Sequence, residues 1–168
     1  TCTQIGWEDY VTCSGCDYST YDELPFVGHD YVKTWDLCNR CGEIKASEGL
    51  AFASNGDGTC YVTGIGSCTS SQIVIPKYSD NGDKVIGIGD DAFSESPIAY
   101  RHHLKKIYIP ETVEYIGSYA FFGCKGLENV ILNEGLKEIG SSAFSNNGLE
   151  NIVIPANVES IGEYAFSS

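Results

Sequence analysis

Ile88-Gly89-Asp90-Asp91-Ala92-Phe93 is a pattern that returns three times. It returns as Ile116-Gly117-Ser118-Tyr119-Ala120-Phe121, as Ile139-Gly140-Ser141-Ser142-Ala143-Phe144 and as Ile161-Gly162-Glu163-Tyr164-Ala165-Phe166. The opening isoleucines stand 28, 23 and 22 residues apart. A second motif runs between the copies: Leu104-Lys105-Lys106-Ile107-Tyr108-Ile109-Pro110, then residues 127–132, then residues 149–155. An internal period in the twenties is the signature of a solenoid, in which each repeat exposes apolar surface that only its neighbours cover.

Alternation gives the shape of one turn. In Ile107-Tyr108-Ile109 and Ile152-Val153-Ile154, isoleucines stand two apart, so one face of a short strand is apolar. Pro110 and Pro155 follow at once and end each strand, because proline donates nothing to a ladder. Val113-x-x-Ile116-Gly117 and Val158-x-x-Ile161-Gly162 give a second apolar segment, with glycine expected to allow a bend. The Ala-Phe pair reads as a single helical or 3₁₀ turn aiming one small and one large residue inward. Both motifs are therefore core rather than chemistry.

The pattern Leu-x-x-Ile-x-Ile-Pro-x-x-Val-x-x-Ile-Gly-x-x-Ala-Phe-x-x-Cys, carried by residues 104–121 with Cys124 and again by residues 127–144 and 149–166, resembles the BspA-type leucine-rich repeat of bacterial surface proteins. The resemblance covers residues 68–168 and matches the leucine-rich-repeat period of about 20–29 residues. It implies a curved solenoid of about three to four turns with one strand per turn. It also implies a secreted or cell-surface protein that adheres or binds and does not catalyse. Two departures stand out. The second copy has Val130-Ile131-Leu132-Asn133 with no proline, and the first carries the insertion Ser94-Glu95-Ser96-Pro97-Ile98-Ala99-Tyr100-Arg101-His102-His103.

Charge narrows the partners. Acidic residues outnumber basic ones by 23 to 10 over 168 residues, a net charge of −13. Such a field repels phosphate backbones and anionic bilayers, which argues against nucleic acid and anionic membrane surfaces as partners. No apolar run approaches the roughly 20 residues that span a bilayer. The sequence begins at Thr1, contains no methionine and shows no signal peptide, so it reads as part of a longer secreted protein. It has no Asn-x-Ser/Thr acceptor.

Residues 1–46 differ in kind. Five of the eight cysteines fall here, with seven aromatic residues and no sustained periodicity. A segment this short needs a staple. Cys13-Ser14-Gly15-Cys16 and Cys38-Asn39-Arg40-Cys41 have the gap that lets two thiolates reach one tetrahedral zinc, with His29 between them. Cys2-Thr3-x-x-Gly6, Tyr10-x-x-Cys13-x-x-Cys16 and Gly28-His29-Asp30-Tyr31 resemble a short cysteine-rich module of bacterial cell-surface proteins. Two ligand sets stay open, Cys13, Cys16, Cys38 and Cys41, or one that draws on Cys2 and His29. Disulfides are the alternative staple in a small secreted domain. No βαβ pattern supports a redox role.

Residues 47–67 connect this module to the array. Leu50-Ala51-Phe52 and Cys60-Tyr61-Val62 flank the turn Ser54-Asn55-Gly56-Asp57-Gly58, so a β-hairpin is expected to cap the first turn. Neither this turn nor Ser79-Asp80-Asn81-Gly82-Asp83 has the spacing of a calcium loop. Ile73-Val74-Ile75-Pro76 reads as the first strand of the array. Cys68 and Cys124 precede strands alike and read as small buried hydrophobes, a Cys60–Cys68 bond being the lesser alternative.

The expected fold is thus mainly β with short helical or 3₁₀ turns: a leucine-rich-repeat solenoid with a hairpin cap and a small cysteine-rich module. Chemistry-bearing candidates are few. Tyr100, His102 and His103 lie in the insertion, read as a solvated loop; they count among the candidate binding-surface residues and would be the site if the chain were an accessory domain of a surface enzyme. A zinc-dependent interaction module is the other rival. Ile107, Ile109, Ile152 and Ile154 point inward, so Lys106, Tyr108, Ile131 and Val153 point outward and form the expected binding surface for a protein or glycan on a host or neighbouring cell. Ala165-Phe166-Ser167-Ser168 breaks off within a repeat, which predicts that more chain follows or that two such ends stack.

Overall fold

The computed structural model describes residues 31–32, 37–38, 45–94 and 96–167. The chain forms two compact units, Thr1–Lys45 and Ala46–Ser168. In the first, β1 (Tyr31–Val32) pairs antiparallel with β2 (Leu37–Cys38), Tyr31 opposite Cys38. Cys2, Cys13, Cys16, His29 and Cys41 lie outside the described residues.

The second unit runs β3 (Ala51–Ser54), β4 (Thr59–Gly64), β5 (Gln72–Val74), β6 (Lys84–Ile88), α1 (Ile98–His103), β7 (Lys106–Tyr108), β8 (Tyr115–Ile116), β9 (Asn129–Ile131), β10 (Glu138–Ile139) and β11 (Ser160–Ile161). One sheet has the order β11-β10-β8-β6-β4-β3, parallel except for the antiparallel hairpin β3–β4 at its edge. The other is β5-β7-β9, wholly parallel. The hairpin is therefore the cap on the first turn. Its bend is built by Gly56 and Gly58 at φ +82° and +83°, with Asp57 Oδ1 accepting from the backbone N–H and hydroxyl of Thr59. Those bonds hold the Asp57 carboxyl below its ordinary range.

The core lies between the sheets and follows the repeat. Ile73, Ile107, Ile88, Ile116 and Ile139 are fully buried. So are Phe93, Phe121 and Phe144, whose rings stack with centroids 4.8 and 5.1 Å apart, and Phe166 extends the stack at 5.5 Å. The first three Gly-x-x-Ala-Phe segments are also bonded to the next turn. The N–H groups of Asp91 and Phe93 donate to Ser118 O and Ala120 O, and those of Tyr119 and Phe121 donate to Ser141 O and Ala143 O. Asp91, Tyr119 and Ser142, whose amides donate to the next turn, stand at φ +56°, +57° and +53°, a conformation that side chains disfavour, and Tyr164 takes the same conformation at +58°. Buried backbone donors need partners, and the satisfied ladder supports the strain.

The structure corrects several expectations. The turns holding β5 and β6, β7 and β8, and β9 and β10 each carry two short strands, one per sheet, instead of one. The motif glycine does not act by supplying a bend: Gly117, Gly140 and Gly162 have no positive φ. Adjacent turns come so close there that a β-carbon on Gly117 would stand 2.5 Å from Asp90 N, and one on Gly140 2.5 Å from Ser118 N. The Ala-Phe segment is a pair of hydrogen-bonded turns, Gly89 O to Ala92 N and Asp91 O to Ser94 N, with no helical run. Ile152-Val153-Ile154 forms no strand, leaving β9 at the sheet edge. Ile152 and Ile154 have a described turn on one side only and are partly exposed, whereas Ile107 and Ile109 are enclosed on both. Asn133 stands where the other copies have proline, and its side-chain amide donates to Ile109 O of the preceding turn.

Candidate binding surface

The β5-β7-β9 sheet turns one face away from the core, and register brings its residues into rows. Val74, Tyr108 and Ile131 are aligned in one row, Gln72, Lys106 and Asn129 in the next. Ile131 is 37% exposed, and Val153, one turn further on, is 82% exposed. Tyr108 and Lys106, on β7 between β5 and β9, are half-buried. Val74 is covered, because the Ser47 backbone and hydroxyl bond to its carbonyl and N–H and close the sheet edge. Of the four residues singled out by alternation, Lys106, Tyr108 and Ile131 thus share one face with an apolar row and a polar row, and Val153 lies in the turn beyond the sheet edge. Lys105–Glu128 and Lys77–Glu111 ion pairs, at 2.6 and 2.7 Å, link neighbouring turns.

The insertion forms α1 in place of a loop. Pro97 takes the N-cap position, and Arg101, His102 and His103 sit in the last turn, where cations suit the helix dipole. Tyr100 packs inward from it and donates its hydroxyl to Ser70 O at 2.9 Å, and burial raises its phenol above the ordinary value. His102 and His103 are exposed. Consecutive residues on a helix diverge by about 100°, so the two imidazoles do not converge on one atom. Tyr100 and His103 do lie together, with ring centroids 6.3 Å apart, while His102 points elsewhere on α1.

Cys60, Cys68 and Cys124 are buried free thiols, which removes the Cys60–Cys68 bond. Burial pushes the Cys124 thiol up to about 12 and raises that of Cys60. Among the described residues no cluster of His, Cys, Asp and Glu could hold a metal ion, and both acidic turns are ordinary turns closed by Gly56 and Gly82. No helix among them is long and apolar enough to cross a membrane.

A second aromatic patch lies on the larger sheet and escaped the sequence reading. Tyr61, Gly87, Tyr115 and Glu138 are in register across β4, β6, β8 and β10. The ring of Tyr115 occupies the place of the missing Gly87 side chain, and Tyr61 lies against Gly89. Burial first, then the neighbouring Tyr61 and Asp90, raises the Tyr115 phenol. The signal was present: only the first copy has glycine before the repeat isoleucine, where the others have Tyr115, Glu138 and Ser160.

A family model described as the BspA type leucine rich repeat region matches residues 87–168 in six copies. The crystal structure of a leucine-rich repeat protein from Bacteroides capillosus is 32% identical, with a TM-score of 0.58, over 67% of this chain and 83% of that one. The chain belongs to the BspA-type leucine-rich-repeat family. A leucine rich cell surface protein from Faecalibacterium prausnitzii is 26% identical with a TM-score of 0.56, over 73% of this chain and 39% of that one. A leucine-rich repeat protein from Bacteroides ovatus is 27% identical with a TM-score of 0.51, over 71% and 37%. The chain thus spans well under half the length of these last two. No curated protein matches it. In this BspA-type array the stacked phenylalanines, buried isoleucines and close-approach glycines are scaffold.

Proposed function

We propose that this BspA-type array is a non-catalytic binding module of a secreted or cell-surface bacterial protein, and that it docks a protein or glycan of a host or neighbouring cell on the outer face of β5-β7-β9. The observation that carries this reading is the in-register row Tyr108–Ile131, with Val153 82% exposed in the next turn. Tyrosine joins large contact area to a polar tip, and exposed apolar neighbours gain from desolvation. The cell-surface relative from Faecalibacterium supports the location. The test is binding of the purified chain to extracellular-matrix proteins and to arrayed glycans. Tyr108→Ala combined with Ile131→Ser removes binding while the unfolding midpoint stays near wild type. Tyr115→Ala, on the other sheet, leaves binding unchanged. Loss with Tyr115→Ala alone would move the site to the larger sheet.

The exposed Ile161, Tyr164 and Phe166 of the last described turn support a second contact, end-to-end stacking against another apolar turn. Light scattering over a concentration series tests it: Phe166→Ser abolishes any dimer, and a wild-type chain monomeric throughout excludes it. For residues 1–46 a zinc- or disulfide-stapled module is proposed, with Cys13, Cys16, Cys38 and Cys41, or a set including Cys2 and His29, as its staple. Metal content and free-thiol counts on protein purified without chelator decide between the two.

A further inference from the structure

The chain contains three Asn-Gly dipeptides, Asn55-Gly56, Asn81-Gly82 and Asn147-Gly148. Such a pair can cyclise. The glycine backbone nitrogen attacks the asparagine Cγ, a nitrogen–carbon bond forms, the Cγ–Nδ2 bond breaks, and ammonia leaves. Water then opens the succinimide at either carbonyl, giving aspartate or isoaspartate. Glycine favours the attack because no β-carbon shields its nitrogen. The step also needs a side-chain amide free to swing onto that nitrogen.

The structure separates the three. Asn147 is held at both ends of its amide: Nδ2 donates to Phe144 O, and Oδ1 accepts from Leu149 N at 2.9 Å. Gly148 is pressed against the preceding turn, where a β-carbon would stand 2.6 Å from Lys125 O. Asn55 Nδ2 donates to Thr59 Oγ1 at 2.8 Å inside the hairpin turn. Asn81 is exposed, and its amide has no hydrogen-bond partner among the described residues. Gly82 sits at φ +87° with open space around it, its N–H engaged only by Ser79 O within the same turn.

We propose that Asn81 is a site of spontaneous deamidation and isoaspartate formation in the folded protein, with Asn55 and Asn147 protected by their amide bonds. Conversion adds a negative charge between Asp80 and Asp83. Isoaspartate also lengthens the backbone by one carbon inside the turn closed by the Ser79–Asp83 and Gly82–Ser79 bonds. The change stays local, because β6 remains bonded to β4 and β8.

The test is ageing of the full chain in mildly alkaline buffer, followed by peptide mapping with fragmentation that distinguishes isoaspartate. In folded protein the Asn81 peptide converts several-fold faster than the Asn55 and Asn147 peptides. In urea the three rates converge. Thr59→Ala releases the Asn55 amide and speeds its conversion several-fold, leaving Asn81 unchanged. Conversion of Asn55 or Asn147 as fast as Asn81 in the folded chain, or the same ranking kept in urea, overturns the proposal.

Discussion

Gly117 and Asp90 face each other across one step of the array, and no side chain fits between them. A β-carbon on Gly117 would stand 2.5 Å from both the backbone nitrogen and Oδ1 of Asp90. Asp90 Oδ1 also accepts from the next amide, Ser118 N, at 2.7 Å, so the contact is fixed from both sides.

Gly117→Ala and Gly140→Ala are therefore expected to destabilise the array by overpacking, about 1–3 kcal/mol each. Gly89→Ala meets mainly the side chain of Tyr61, which can move, and costs less. Urea denaturation of the three variants gives the order. Equal loss at all three positions would show that bending, and not close approach, selects glycine here.

The phenylalanine stack predicts a gradient. Phe121 is fully buried between two rings, and Phe121→Ala costs about 3–5 kcal/mol. Phe166 is 38% exposed and stacks on one neighbour, so Phe166→Ala costs markedly less. Thermal unfolding of both variants measures the difference.

Ser142 sits at φ +53°. Ser142→Val places a β-branched side chain in that conformation and destabilises by about 1–3 kcal/mol. Ser142→Asn is close to neutral, because asparagine tolerates the left-handed region. A neutral valine variant would show that the turn adopts another conformation in solution.

Two carboxylates give an acid limb. Hydrogen bonding and charge from Lys77 and Lys137 hold Glu111 and Glu114 below the ordinary value of 4.5. Their contribution is complete above 4.5 and is lost as pH falls through the depressed folded values. Lys137 is raised above 10.5 by Glu114, so its part is complete below 10.5 and is lost as pH rises through the raised value. All these groups are at the surface, so the effect is small and screened by salt. Lys137→Gln should flatten part of the acid limb in low-salt denaturation curves and change nothing in high salt.

With its thiol pushed up to about 12 inside the core, Cys124 stays protonated at ordinary pH. Peptide-resolved alkylation should leave Cys60, Cys68 and Cys124 unmodified in the folded chain and label all three in guanidinium. Labelling of Cys124 without denaturant would indicate local opening near Arg101.

The sequence by itself determined the repeat, its period and the inward and outward sides of Ile107-Tyr108-Ile109. Each of these depends only on spacing along the chain, and a side chain two residues away in a strand must face the same way. The hairpin cap was legible for the same reason, since Asn55-Gly56-Asp57-Gly58 is local turn chemistry. Tertiary structure decided what depends on atoms a full turn apart. It made the motif glycine a matter of close contact between turns, as Gly117 with Asp90, and set Asp91, Tyr119 and Ser142 left-handed with their amides on the next turn. It replaced a missing proline with the Asn133 amide, folded residues 98–103 into α1, and laid Tyr115 on Gly87. Distances between stacked turns are set by packing, and no periodicity along one chain encodes them.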